Sequence, residues 1–393
     1  MADRLPRVLL VGISARAIAE SAAAAGYGVT TIDAFGDLDT AQYARCFATR
    51  RDFGVRYRAD VVALLSRRID TDAVAYAGGW ENHPKAVAEL ASGRRLLGNP
   101  PAVLRRVRDP RRLAQALRRR GFAVPAVRYT PPRAQGAGGA AWLLKPRASG
   151  GGAGIRSWST AQSVTPGSYL QQRIEGVPAS IVFAADGDRA IPLAVTRQLA
   201  GDAAFGARGF RYVGNILADR NDPTLPNGPA LFMSAAALAQ AVTEEVGLVG
   251  VNGIDFVARD GIPFPIEVNP RYSASMELVE RALGVSIFGL HARGCASPFS
   301  AADVVVPSIS DGAIGKAIVY ARTAVTLGNT THWLDDASVR DVPHPGERIG
   351  RGHPVCTVFA RGDDAVSCYA ALVRRAEEVY GAIEAGGAAR IVA

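Results

Sequence analysis

The chain has 393 residues, of which 48% are hydrophobic and 21% charged; that composition excludes wholesale disorder and allows a large core without disulfide staples. Four cysteines (Cys46, Cys295, Cys356 and Cys368) stand far apart with no CxxC pair, which argues against zinc fingers and for a reducing, cytoplasmic setting. The net charge of +9 rests almost wholly on arginine, since Lys85, Lys145 and Lys316 are the only lysines.

The start, Met1 to Arg7, leads into an apolar run, Val8 to Val11, too short for a signal-peptide core, and no stretch approaches the roughly 20 apolar residues of a membrane helix. That run reads as a buried strand, Ser14 to Ala25 as a helix, and Val29 to Ile32 as a second strand ending at Asp33. The unit is βαβ and predicts a parallel sheet. Asp33 is spaced like the acidic residue of a dinucleotide site, but the glycine fingerprint is missing after Gly12, so NAD is not expected. The strand Ala73 to Ala77 runs through Gly78-Gly79 into Trp80, Glu81 and Asn82, a loop at strand ends where ligands collect.

Leu97-Gly98-Asn99-Pro100-Pro101 marks a first domain boundary. Ala102 to Arg120 reads as helical, broken where Asp109 caps a helix beginning at Pro110. Its basic cluster, Arg105 to Arg120, has no interleaved aromatics, as single-strand nucleic-acid stacking requires; a solvated helix face or a surface for phosphate or a polycarboxylate remains. Thr130 to Ala140 reads as a loop. A block from Ala141 to about Pro298 mixes short strands, hairpins and helices. The last block, from about Ala301, holds strands at Ala317–Tyr320 and Val355–Phe359 and a helix with Leu372, Val373, Ala376, Val379, Tyr380 and Ile383 on one stripe.

Three segments carry chemistry. In Trp142 to Ile155 a lysine, Lys145, closes an apolar strand, and Gly150, Gly151, Gly152 and Gly154 follow. Glycines let backbone N–H groups wrap phosphate oxygens, and Lys145 adds a point charge; no Gly-Lys-Ser/Thr closes the run, so this is not a P-loop. In Tyr169 to Phe183 a strand breaks at Gly176-Val177-Pro178 and resumes towards the Asp186-Gly187 turn, with a backbone suited to an adenine edge and Glu175 placed for ribose hydroxyls or simply for solvent. In Gly253 to Arg271 two strands flank Asp260-Gly261. Glu267 and Asn269 share a face; Asp255 joins them only if a bulge or a longer turn shifts the register, and Pro263 and Pro265 favour a bulge. Three such oxygen donors suit Mg²⁺ or Mn²⁺ bridging phosphates.

In this order the segments resemble the ATP-grasp superfamily, over almost the whole chain. Asp341 to Gly346 followed by Gly352 to Val358 is similar to the small C-terminal domain of its carboxylase-like branch, the predicted carboligases related to biotin carboxylase. The resemblance implies a multidomain α/β and α+β chain: a Rossmann-like domain over residues 1–100, an ATP-grasp domain over 101–300 and a small β-rich domain over 301–393. It implies Lys145 and the four glycines on the nucleotide phosphates, the Gln172 and Ile174 backbone on adenine, Glu175 on ribose, Asp255, Glu267 and Asn269 on Mg²⁺, and Arg271 on the acyl phosphate. A further phosphate-binding lysine of the family is missing near residue 110, where either Arg111 or Arg112 is its expected substitute or the contact is absent. The implied activity is an ATP-dependent, ADP-forming carboxylate–amine ligase, adding an amino acid such as glutamate to a one-carbon coenzyme precursor. Arg147, Arg197, Arg208 and Arg211 are candidates for an acidic substrate, and Tyr272, Ser273 and Ser275 for the acceptor site. The alternatives are a carboxylase making carboxyphosphate from bicarbonate and a non-catalytic ATP-binding regulatory protein. Expected partners are small-molecule acids and amines, not nucleic acid or membrane, with a homodimer compatible.

Overall fold

In the computed structural model, which describes residues 5–132, 141–160, 162–300 and 312–386, three larger sheets and a two-stranded ribbon carry the architecture. Part of the expected loop Thr130–Ala140 (133–140) and the start of the expected last block (301–311) lie outside the described residues.

The first sheet is parallel and five-stranded, with the strands Arg7–Val11, Gly28–Asp33, Arg45–Ala48, Ala73–Tyr76 and Arg95–Leu97 in the spatial order third, second, first, fourth, fifth. Val8, Leu9, Leu10 and Val11 are all buried, as a parallel strand covered on both faces requires. The helix after the first strand spans Arg16–Ala24. Asp33 clamps the turn between the first strand and this helix: its carboxylate accepts the N–H groups of Ala15 (2.9 Å), Phe35 (3.1 Å) and Gly36 (2.7 Å).

The helices Pro101–Val107 and Pro110–Arg119 meet at Asp109, whose side chain accepts from the N–H groups of Arg111 and Arg112, so the expected break and cap are both present. Beyond them an antiparallel four-stranded sheet runs Val127–Arg128, Ser168–Gln172, Trp142–Pro146, Arg156–Trp158 across its width. Its two faces differ because side chains alternate. Trp142, Leu144, Trp158 and Leu170 form a small core on one face; Leu143, Lys145, Tyr169 and Gln171 lie on the other, and Lys145 and Gln171 reach the third sheet.

That third sheet is antiparallel and eight-stranded. It runs Ile262–Asn269, Val249–Arg259, Val177–Asp186, Ala190–Ala200, Tyr212–Ala218, Ala313–Tyr320, Pro354–Gly362, Val339–Arg340. It continues across residue 300, because Tyr212–Ala218 pairs with Ala313–Tyr320. The long helix Gly228–Val246 buries Leu231, Ala235, Leu238 and Val242 in a core shared with Ile181, Phe183, Ile254 and Phe256. The final helix, Ala365–Gly386, buries Leu372, Ala376, Val379 and Tyr380. No described helix is long and apolar enough to cross a membrane.

Candidate active site

The site begins with a hairpin. Asp260 and Gly261 both take positive φ (54° and 77°) and make a two-residue turn between Arg259 and Ile262. Pairing is regular from Arg259↔Ile262 to Phe256↔Pro265 and then slips: Asp255 lies opposite Glu267 and Gly253 opposite Asn269. The expected bulge is therefore present, with Ile266 as the extra residue. It has two consequences. Asp255, Glu267 and Asn269 share one face. The Ile266 carbonyl, outside the regular pairing, accepts from Lys145 Nζ (3.2 Å) and Gln171 Nε2 (3.3 Å).

Lys145 is thus brought over the hairpin from the four-stranded sheet. It is 6% exposed and also donates to Gln171 Oε1 at 3.0 Å. Burial lowers its pKa, while Glu267 and Asp255 pull the other way. The Asp255 carboxylate accepts from Gln198 Nε2 (2.8 Å) and Asn269 Nδ2 (3.0 Å). Burial, reinforced by the charge of Glu267, pushes its carboxyl up to about 7. Glu267 is gripped by Arg108, whose Nη1 lies 2.5 Å from Oε1. Arg108 also donates to Asn82 Oδ1 (2.8 Å) and to the carbonyls of Arg147 (3.3 Å) and Ser149 (3.4 Å) at the root of the glycine loop.

Arg108 is a contributor the spacing near residue 110 does not single out. The guanidinium beside the carboxylates belongs neither to Arg111 nor to Arg112. Those two stand in the first turn of the capped helix, exposed, whereas Arg108 precedes the cap and turns inward. A second unassigned contributor comes from the parallel sheet. Glu81 is fully buried and accepts from Arg271 Nη2 at 2.9 Å. Arg271 also donates to Asn269 Oδ1 (3.1 Å) and the Tyr272 carbonyl (3.2 Å). Burial would raise the Glu81 carboxyl, but the Arg271 guanidinium outweighs it and holds the group below its ordinary value. The loop after the fourth parallel strand does reach the site, and its chemistry is carried by Glu81 and Asn82.

The glycine loop leans on the start of strand Tyr212–Ala218: the Gly151 carbonyl accepts from the Tyr212 N–H at 3.0 Å. Gly151, Gly152 and Gly154 take φ of 59°, 76° and 74°. At the hinge, Gln172 donates its backbone N–H to the Ala126 carbonyl at 2.8 Å, and its side-chain Oε1 accepts from the Ala126 N–H at 3.2 Å. Glu175 stands apart from the cluster, exposed and paired with Arg173 at 3.1 Å. Of the other arginines, Arg147 covers the Tyr129 ring, Arg208 is exposed, and Arg211 donates to the Gly352 carbonyl. Ser273 and Ser275 bond each other at 3.3 Å, and Tyr272 is buried.

Among the described residues no group of three or more His, Cys, Asp or Glu is placed to hold a metal. A cation here would rest on two carboxylates and one amide oxygen. That hard, under-filled set suits Mg²⁺ with positions left for phosphate and water, and not a closed zinc site.

Residues 107–275 match the ATP-grasp domain family. A stretch of 71 residues is 37% identical to the carbamoyl phosphate synthase large chain of Gemmatimonas aurantiaca, covering 16% of this chain and only 6% of that one. Among solved structures, the L-amino acid ligase from Bacillus licheniformis superposes with a TM-score of 0.66 at 15% identity, over 96% of this chain and 98% of that one. The biotin carboxylase domain of the Hydrogenobacter thermophilus 2-oxoglutarate carboxylase, solved with MgADP and bicarbonate, gives 0.67 at 15% identity, over 91% and 86%. The cleft between the four-stranded and eight-stranded sheets is therefore the cleft of an ATP-grasp fold, and residues 107–275 of this chain are an ATP-grasp domain.

Proposed function

We propose that this protein is an ATP-dependent, ADP-forming ligase that joins a carboxylate to an amine through an acyl phosphate. The observation that carries the reading is the meeting of Lys145 and Arg108 with Asp255, Glu267 and Asn269 where two sheets face each other. Cations and a metal-binding oxygen set at one point are what a polyphosphate requires. The near full-length likeness to an amino acid ligase suggests the amine arm of this reading, and the equal likeness to a biotin carboxylase domain makes bicarbonate the arm to test against it.

In this reading Lys145 and Arg108 bind phosphate oxygens and the loop from Gly150 to Gly154 covers them and excludes water. The Gln172–Ile174 backbone takes the adenine edge, and Glu175 leaves Arg173 to accept from the ribose. Asp255, Glu267 and Asn269 would hold Mg²⁺, or Mn²⁺, which when bound would neutralise charge on the phosphates. The substrate carboxylate oxygen attacks the γ-phosphorus in line, and the bond to the ADP oxygen breaks. Arg271 steadies the resulting acyl phosphate. The amine nitrogen then attacks the acyl carbon, phosphate departs, and the nitrogen loses a proton to give the amide. No side-chain nucleophile is needed.

The test is ADP release across pools of acids and amines, with bicarbonate as a separate arm. Turnover that needs both an acid and an amine supports the ligase. Turnover on bicarbonate alone selects carboxyphosphate formation. Asp255→Ala and Glu267→Ala should each abolish the signal in folded protein; turnover surviving in both overturns the site.

A further inference from the structure

A second, open-sided cavity lies beside the nucleotide cleft, between the helix Pro110–Arg119 and the edge strand Val127–Arg128, and its arginines Arg111, Arg118 and Arg128 are exposed. Its volume is about 580 Å³, and its polar lining consists chiefly of Arg111, Arg118, Arg128, Gln115, Tyr129 and Gln172. That volume lies within the roughly 300–1,000 Å³ of small-molecule sites. Its charge is one-sided: among the described residues three guanidinium groups line it and no carboxylate does. The Arg111 guanidinium has no hydrogen-bond or ion-pair partner among the described residues, and that of Arg128 meets only the Trp142 ring, at 5.7 Å. Arg118 spends one nitrogen on the carbonyls of Val124 (3.1 Å) and Pro125 (3.0 Å). Asp109, the nearby acid, is committed as the helix cap. Arg108, which lines the neighbouring nucleotide cleft, is by contrast matched by Glu267.

We infer that this cavity is a binding site for a small polyanion carrying several carboxylate or phosphate oxygens, separate from the nucleotide phosphates and built to report to them. Forked guanidinium groups match such oxygens, and the amides and hydroxyls add neutral donors. The link to the cleft is physical. Ala114, Val124 and Val127 line both spaces. Tyr129 touches Asp109, the neighbour of Arg108, at 3.4 Å and lies under Arg147 at the root of the glycine loop. Gln172 is both a wall of the cavity and the hinge residue bonded to Ala126. The inference goes beyond the ligase reading and does not depend on which acid or amine is joined.

The full chain is titrated calorimetrically with citrate and, separately, with inorganic phosphate at physiological salt, with and without saturating MgADP. Single-site binding of at least one probe that persists with MgADP bound is expected, and the two arms tell a polycarboxylate from a phosphate preference. Arg111→Gln combined with Arg128→Gln should weaken it by about tenfold or more while leaving MgADP affinity unchanged; Arg118 stays because it also holds backbone. The inference fails if neither probe binds below about 10 mM, if the double variant binds as tightly as the parent, or if MgADP and Lys145→Gln each abolish binding, which would put the anion in the nucleotide cleft. A parent protein that does not bind MgADP instead refutes the ligase reading and leaves the anion result standing by itself.

Discussion

Lys145 carries its charge into a place where burial opposes it, with the Gln171 side chain and the Ile266 carbonyl as its neutral partners. A cation kept under those conditions serves a ligand more than it serves the fold. Lys145→Met should therefore leave the urea midpoint within experimental scatter and weaken ADP binding by about 1.5–3 kcal/mol, roughly ten- to a hundredfold. Calorimetry and urea melts on one preparation decide it, and a stability loss with affinity intact would assign Lys145 to the fold. Glu81 is the opposite case. Glu81→Ala strands the Arg271 guanidinium beside neutral oxygens, so a loss of about 3–5 kcal/mol in denaturant unfolding is expected, with about 1–3 kcal/mol for Glu81→Gln. The two differ in legibility for a plain reason. Lys145, Asp255, Glu267, Asn269 and Arg271 lie in short strings whose spacing is itself the signal. Arg108 and Glu81 meet their partners across 159 and 190 residues, and only the folded chain brings them there.

The bulge and the glycine loop show how segments, more than single groups, shape the cleft. Asp260-Gly261 announces a turn in the sequence, but it leaves two registers open, and only the slip between Asp255 and Phe256 puts both carboxylates on one face while freeing the Ile266 carbonyl for Lys145. Pro263 and Pro265 hinted at the irregularity because neither donates to the ladder. In the glycine loop the residues are not equivalent. A Cβ on Gly152, at φ 76°, would lie 1.8 Å from the Phe210 carbonyl oxygen, whereas one on Gly150 would meet nothing within 4 Å. Gly152→Ala should therefore unseat the loop from the Tyr212 N–H and raise the apparent Kd for ADP by about tenfold or more, with faster proteolysis between Pro146 and Trp158; the strain of φ alone is about 1–2 kcal/mol. Gly150→Ala is the control and should bind as the parent does. Equal behaviour of the two variants would mean that loop seating does not matter to the nucleotide.

The parallel and eight-stranded sheets are tied together by charge as well as by apolar packing. Val8 and Leu10 of the parallel sheet share a core with Val182, Ile314 and Phe359 of the eight-stranded one. Beside it, fully buried Arg16 bonds Asp341 at 3.0 Å and Glu20 at 2.8 Å and pairs with Glu277, while Lys316 reaches Glu277 at 2.6 Å and the Ala274 carbonyl at 3.1 Å. The block order along the chain is readable from strand and helix patterns; this hub is not, because Arg16 lies 261 residues from Glu277 and 325 from Asp341. Glu277 lies in the first turn of the helix Ala274–Leu283, so the hub holds the start of the helix that follows the Arg271–Ser273 segment. Burial would raise the Glu277 carboxyl, but Arg16 and Lys316 overcome it and hold the group far below the usual carboxylate range. A depressed folded value means that its stabilisation is complete above the unfolded value, about 4.3, and drains away as pH falls below it. Glu277→Gln should thus cost about 3–5 kcal/mol at pH 7, and the gap between parent and variant should narrow steadily in urea melts taken from pH 5 downward. Asp39, which burial pushes up, contributes with the opposite sign and is present in both proteins. A gap that stays constant down to the acid limit would mean that Glu277 acts through its shape and not through its charge.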